Sequence, residues 1–103
     1  MATKIYTLNT CNAWKEWASM SLYFIGTSQD KLFAAIRKGI RQGDFYYGSK
    51  ENSRRKQLER LKEDMQEFHR IAMFHPSYSV IHEVSSRFEE AYIDINENNS
   101  YAV

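Results

Sequence analysis

The sequence predicts a single α+β domain over residues 1–103, in which a short sheet is covered on one face by two main helices, one of them long. Three observations lead to this prediction. From Ser49 to His75, apolar residues recur at spacings of three and four, the period of one stripe along an α-helix. Residues 28–43 show the same period between good capping residues. Residues 4–10 and 91–95 instead alternate as β-strands do.

The N-terminal part is predicted to form two strands joined by a loop. Residues 4–10 alternate along the chain, although neither face of that strand is purely apolar. Trp14 and Trp17 lie three positions apart in the loop and are expected to cover the core, because a packed indole buries about 200 Å². Residues 20–25 are rich in aromatic and branched side chains, which predicts a buried strand ending at Gly26.

The first main helix is predicted from its ends. Thr27 or Ser28 supplies the N-cap, and Asp30 follows in the first turn, where a carboxylate meets the positive end of the helix dipole. Gly43 is expected to close the helix in the left-handed conformation. Residues 44–47 then predict a short strand, so strand, helix and strand would form a crossover unit.

The sequence predicts one C-terminal end for the long helix but two alternative starts. Its inward stripe consists of Leu58, Leu61, Met65, Phe68 and Ala72. The helix is expected to end at His75, because the residue before a proline is driven out of the helical region. Basic residues near the start are unfavourable at the positive end of the dipole. Either the first turns project beyond the domain, or Ser53 is the N-cap.

The C-terminal part is predicted to be a helix followed by a strand. Residues 78–90 fit both helical and strand periods, and we favour a helix from Ser77 to Glu89. Residues 91–95 predict the last strand, and residues 96–103 a flexible tail.

Composition excludes several classes of protein. The single Cys11 cannot form an intramolecular disulfide, and no signal-peptide pattern opens the chain, so we expect a cytoplasmic protein. Apolar runs fall far short of the roughly 20 residues that a membrane-spanning helix needs.

No catalytic or metal-binding pattern is present in the sequence. The three histidines, His69, His75 and His82, lack the i, i+4 spacing of a helical zinc pair, and no Cys–His signature surrounds Cys11. We therefore predict no metal, no cofactor and no enzymatic activity.

The charges are unevenly distributed along the chain. Residues 31–62 carry ten Lys or Arg against three Asp or Glu, a balance of +7, whereas residues 63–103 carry two against eight, a balance of −6. Such asymmetry bears on partners and not on fold. It predicts a basic surface for a partner or a nucleic acid, made of Lys38, Arg41, Tyr46, Tyr47, Arg54, Arg55, Lys56 and Arg60. It also predicts an acidic partner face, made of Glu83, Glu89, Glu90 and Asp94.

These two surfaces lead to two hypotheses. The first is a non-catalytic module that docks on a larger protein, such as one that handles nucleic acid, and modulates or inhibits it. An inhibitor of the anti-CRISPR or anti-defence type is one version, comparable in size and charge but supported by no motif. The alternative is a small nucleic-acid-binding protein, because cations interleaved with tyrosines suit phosphate contact and base stacking. The sequence does not predict an oligomeric state.

Overall fold

The computed structural model describes residues 4–97 of the chain. It contains five strands and three α-helices, with one short 3-10 helix at Trp17–Ser19. In chain order they are β1 (Lys4–Thr10), β2 (Ser21–Gly26), α1 (Gln29–Gln42), β3 (Tyr46–Tyr47), α2 (Arg54–Phe74), α3 (Val80–Ser86), β4 (Phe88–Glu89) and β5 (Ala91–Glu97).

The main sheet is antiparallel, with the strand order β2-β1-β5. Tyr6 and Leu8 of β1 lie opposite Ile95 and Ile93 of β5, and these side chains turn toward the helices to form the floor of the core. A separate two-stranded ladder pairs β3 with β4. The α+β prediction is confirmed.

The second strand was expected to be buried, and this expectation is wrong. β2 is an edge strand, and its Leu22 and Ile25 are largely exposed. A β-bulge opposite Leu8 and Asn9 makes Tyr23 the extra residue, so Tyr23 and Phe24 both pack against the core. Two consecutive inward aromatics leave Leu22 and Ile25 for the open side of the sheet.

The two tryptophans do not cover the core as predicted. Trp14 is 80% exposed and Trp17 is 79% exposed, in the connection between β1 and β2. Their positions are determined by a polar turn, in which the Asn12 side chain accepts hydrogen bonds from the backbone N–H groups of Trp14 and Glu16. The core is closed elsewhere, by Phe45, Phe88 and Tyr47.

The first helix has the predicted ends. Ser28 is the N-cap and accepts a hydrogen bond from the Lys31 N–H, while Gly43 closes α1 with a φ of 73°. The buried apolar side chains of α1 are Leu32, Phe33, Ile36 and Ile40.

The predicted crossover unit is absent from residues 4–97, because β3 pairs with β4 and not with the sheet that contains β2.

The long helix begins at Arg54 with Ser53 as its N-cap, the second of the two starts considered. Residues 49–52 form a turn before it. Leu61 and Phe68 are buried in the core, and Leu58 and Met65 are packed against it but only partly covered. His75 is the C-cap, as the following proline predicts.

The predicted helix from Ser77 to Glu89 is shorter in the structure. α3 ends at Ser86, and Phe88 and Glu89 form β4, because the buried Phe88 ring packs at right angles against Phe45 and Tyr47. The last strand is confirmed, and it also includes Asn96 and Glu97. The rest of the predicted tail, residues 98–103, lies outside the described residues.

Candidate functional site

A groove runs between α1 and α2. Its floor is apolar, formed by Leu58, Leu61 and Met65 of α2, and its volume is about 920 Å³. On the α1 side the groove is lined by Arg37 and Arg41, and no apolar side chain of α1 covers Leu58 and Met65 completely. Partly buried side chains therefore stay in contact with solvent.

Cations surround this apolar floor. Arg37 and Arg41 project from α1 at i, i+4 spacing, and Arg55 and Lys62 project from α2 at i, i+7 spacing, so each pair lies along one side of its helix. We call these four residues the cationic rim.

Within residues 4–97, three of the four rim cations have no acidic partner. Arg55 is paired with Glu59, with 3.3 Å between Nε and Oε1. No carboxylate in the part of the chain that the structure describes forms an ion pair with Arg37, Arg41 or Lys62. Their charges are available to a carboxylate from outside.

A histidine lies at one end of the groove. His69 lines the groove one turn beyond Met65, and its Nδ1 lies 2.7 Å from the Met65 carbonyl oxygen. A bond of that kind requires the proton on Nδ1, so the ring is oriented by its own helix. The next residue along the same side of α2 is Met73, which is 78% exposed.

The predicted basic surface is divided between the two sides of α2. Arg60 lies five positions after Arg55, which places their side chains about 140° apart around the helix. Arg55 lies at the groove, whereas the Arg60 Nε is 3.1 Å from Asp64 Oδ1 on the other side. The two cations therefore cannot contribute to one contact surface.

Tyr47 does not contribute to the protein surface. It is fully buried, and its hydroxyl donates a hydrogen bond of 2.7 Å to Asp64 Oδ2. Burial and this hydrogen bond raise the pKa of Tyr47 well above its usual value. Arg87 completes the cluster, 3.9 Å from Asp64 and with its guanidinium 5.0 Å from the centre of the Phe68 ring. The prediction that Tyr47 stacks on a ligand is wrong, and this cluster holds β3 to α2.

The remaining predicted basic residues are spread over several elements. Arg54 opens α2, and its guanidinium lies over Gly43 at the C-terminal end of α1, where a cation suits the dipole. Lys38 and Lys56 are exposed and do not line the groove, and Tyr46 is half-buried in β3. Arg41 and Arg55 are thus the two predicted residues that the fold brings to the groove.

The predicted acidic residues lie on three elements and the turn between two of them. Glu83 occupies the first turn of α3, and Asp94 pairs in register with Thr7 on the open side of the sheet. The Glu89 carboxylate accepts a hydrogen bond from the Lys50 backbone N–H. Glu90 has a φ of 66°, and its carbonyl accepts a hydrogen bond from Cys11. Of these four side chains, that of Glu89 is engaged by the backbone, and Glu90 is held through its main chain.

Sequence reasoning missed most of the groove. Arg37, Lys62, Leu58, Met65 and His69 line it, and none was predicted to be a binding residue. The signal was present in the apolar stripe of α2. Leu58 and Met65 lie on one margin of that stripe, and Arg37 and Arg41 repeat at i, i+4 on α1.

Cys11 and the titratable side chains are the groups relevant to catalysis and metal binding. Burial raises the pKa of the Cys11 thiol, which keeps it protonated and a poor nucleophile. Within residues 4–97, no three His, Cys, Asp or Glu side chains are placed to hold a metal ion. None of the helices described is long and apolar enough to cross a bilayer.

Comparisons with protein-family models, with curated proteins and with solved structures gave no match to this chain.

Proposed function

We propose that this chain is a non-catalytic module that binds another protein through the groove between α1 and α2. One observation carries the proposal: an apolar floor bordered by three cations that form no ion pair with any other described residue. Apolar area supplies affinity when it is removed from water, and unpaired cations favour a partner with complementary charge. The partner surface is therefore apolar at its centre and acidic at its margin.

Modulation or inhibition of a larger protein is the form of this activity that we favour. A module of this kind acts by covering a surface that its partner needs, and an inhibitor of the anti-CRISPR or anti-defence type would be one example. In this proposal the protein works in the cytoplasm, the compartment that suits a single unpaired cysteine.

Direct binding of nucleic acid receives less support. It was based on cations interleaved with tyrosines, but Tyr47 is buried and Arg60 is paired with Asp64. The groove floor is formed by two leucines and a methionine, and no Phe, Tyr or Trp ring lines the groove for a base to stack on.

The test compares two charge-reversal variants of the full chain. In the groove variant, Arg41 and Lys62 become glutamate. In the control, Lys31 and Lys50 become glutamate; both are exposed and outside the groove, so the net charge changes equally. Each protein is immobilised and exposed to an extract of the source organism, and captured proteins are quantified by mass spectrometry. The dissociation constant is then measured with the purified captured protein.

We expect at least one protein to be captured by the wild type and the control but lost from the groove variant, with binding weakened tenfold or more. Capture that is identical for all three proteins would refute the groove as the binding site. A random-sequence DNA duplex serves as the second probe. If the wild type shifts the duplex in a salt-dependent way and the groove variant does not, the nucleic-acid hypothesis replaces this one.

A further inference from the structure

Charged and apolar side chains are unevenly distributed along the groove. The guanidinium of Arg54 lies over Gly43, which shows that α2 begins beside the end of α1. Arg41, in the last turn of α1, and Arg55, in the first turn of α2, therefore belong to the same end of the groove. Lys62 is the last rim cation along α2. Beyond it, the groove side of that helix carries Met65, His69 and Met73.

From this arrangement we infer that the groove binds an amphipathic helix whose carboxylates are gathered toward one end and whose other end is apolar. The inference rests on the proposed function and specifies the partner of the same site.

A helix suits this site better than an extended strand. Every residue that lines the groove belongs to α1 or α2, and apart from the last turn of α1 and the first turn of α2 their backbone N–H and C=O groups are bonded within the helices. A strand lying on this floor would find no backbone partners for its own polar groups, whereas a helix satisfies them internally. The occupant therefore brings only side chains to the groove.

The groove and the exposed Met73, one turn beyond its lining, together suit a helix of about four turns. Leu58 and Met73 are fifteen positions apart, which corresponds to about 22 Å along α2. One row along α2 is formed by residues that follow one another at steps of seven, four and four positions: Leu58, Met65, His69 and Met73. A partner helix of about 15 residues would match that row with apolar side chains at i, i+3 or i+4, and i+7.

The cations of the groove determine where the bound helix should carry acidic residues. Arg37, Arg41 and Lys62 have no ion pair among the described residues and lie in the first half of the groove. Carboxylates on the flanks of the occupant would neutralise these cations. In the second half, the flexible thioethers of Met65 and Met73 adapt to apolar side chains of different shapes.

The probe is a phage-displayed library of random 16-residue peptides, selected on the full-length wild-type protein. We expect the enriched peptides to have a net negative charge and an apolar period of three to four residues, with the acidic residues clustered toward one end. Circular dichroism of a synthesised peptide should show helix formation on binding. The Arg41→Glu, Lys62→Glu variant should bind this peptide at least tenfold more weakly, and the Lys31→Glu, Lys50→Glu control within twofold of the wild type.

The single substitution Met73→Glu tests the apolar end by itself. Met73 is exposed, so this change leaves the core intact, and we expect binding to weaken at least threefold. Enriched peptides that are basic, that alternate with a period of two, or that bind all variants equally would overturn the inference, as would a library with no enriched peptide. Those outcomes do not affect the capture experiment. If capture from the extract still depends on Arg41 and Lys62, the protein-binding function stands and only the helical occupant is wrong.

Discussion

Replacing Gly39 by alanine should destabilise this protein, although alanine is the better helix former. Gly39 is buried in α1, and a Cβ placed there would overlap the Cε2 and Cζ atoms of the Phe45 ring. Phe45 is itself fully buried and packs edge-on against Tyr23 and Phe88, with 5.4 Å between ring centres in both pairs. The ring is enclosed, so it cannot move aside without disturbing both neighbours.

Two opposing contributions determine the size of the effect. Alanine in place of a helical glycine contributes about 1 kcal/mol of stability through propensity. Overpacking a core costs about 1–3 kcal/mol, and a displaced aromatic pair costs about 0.5–1.5 kcal/mol beyond its buried area. The steric contribution is the larger, and we expect a net loss of about 2 kcal/mol. For a domain of this size that corresponds to a melting temperature lower by about 8–16 °C.

Urea denaturation followed by circular dichroism measures this loss of unfolding free energy. The control is the same substitution in a Phe45→Leu background, where the ring has been removed. There Gly39→Ala should be neutral or stabilising, because only the propensity contribution remains. If Gly39→Ala in the wild-type background were as stable as the parent, the packing of α1 on Phe45 would be other than described.

Three further predictions concern buried hydrogen bonds, pH and capping. Gln57→Leu should cost about 1–3 kcal/mol in urea denaturation, since the Gln57 side chain accepts a 2.9 Å hydrogen bond from the Tyr47 N–H, which would be left buried and unpaired. Burial and a hydrogen bond to Asp44 raise the pKa of Tyr23 to about 12, above the value of about 10 in an unfolded chain. The neutral phenol thus favours the folded state, and stability should fall as the pH rises from 10 to 12. Urea denaturation at pH 9 and 11 should show a smaller loss in Tyr23→Phe. Ser53→Ala should lower the unfolding free energy by about 1 kcal/mol, measured by the same method, because α2 loses its N-cap bond.

Local features of this fold could be predicted from sequence because their causes act within a few residues. Ser28 and Gly43 delimit α1 through one side-chain oxygen and one positive φ. Pro76 ends α2 by steric conflict with the residue before it. Alternation over residues 91–95 was enough to identify β5, because the buried and open sides of a strand follow a period of two.

The candidate site was only partly predictable. Arg41 and Arg55 were predicted as binding residues and line the groove, whereas Arg60 and Tyr47 belong to the cluster around Asp64. Neighbouring cations in the sequence lie on different sides of a helix, so a count of charges along the chain does not define a surface. Whether a cation remains unpaired depends on the carboxylates that lie near it in the folded structure.

The sequence by itself determined both ends of α1, the C-terminal end of α2, the apolar stripe of each, and that strands and helices would share one small domain. Only the tertiary structure decided which apolar side chains are covered. Leu22 and the two tryptophans are exposed, and Leu58 and Met65 border an open groove, while Phe45 and Tyr47 are enclosed. The physical reason is that periodicity indicates which side of an element is apolar, but burial depends on strand order and on the lengths of the helices that pack together.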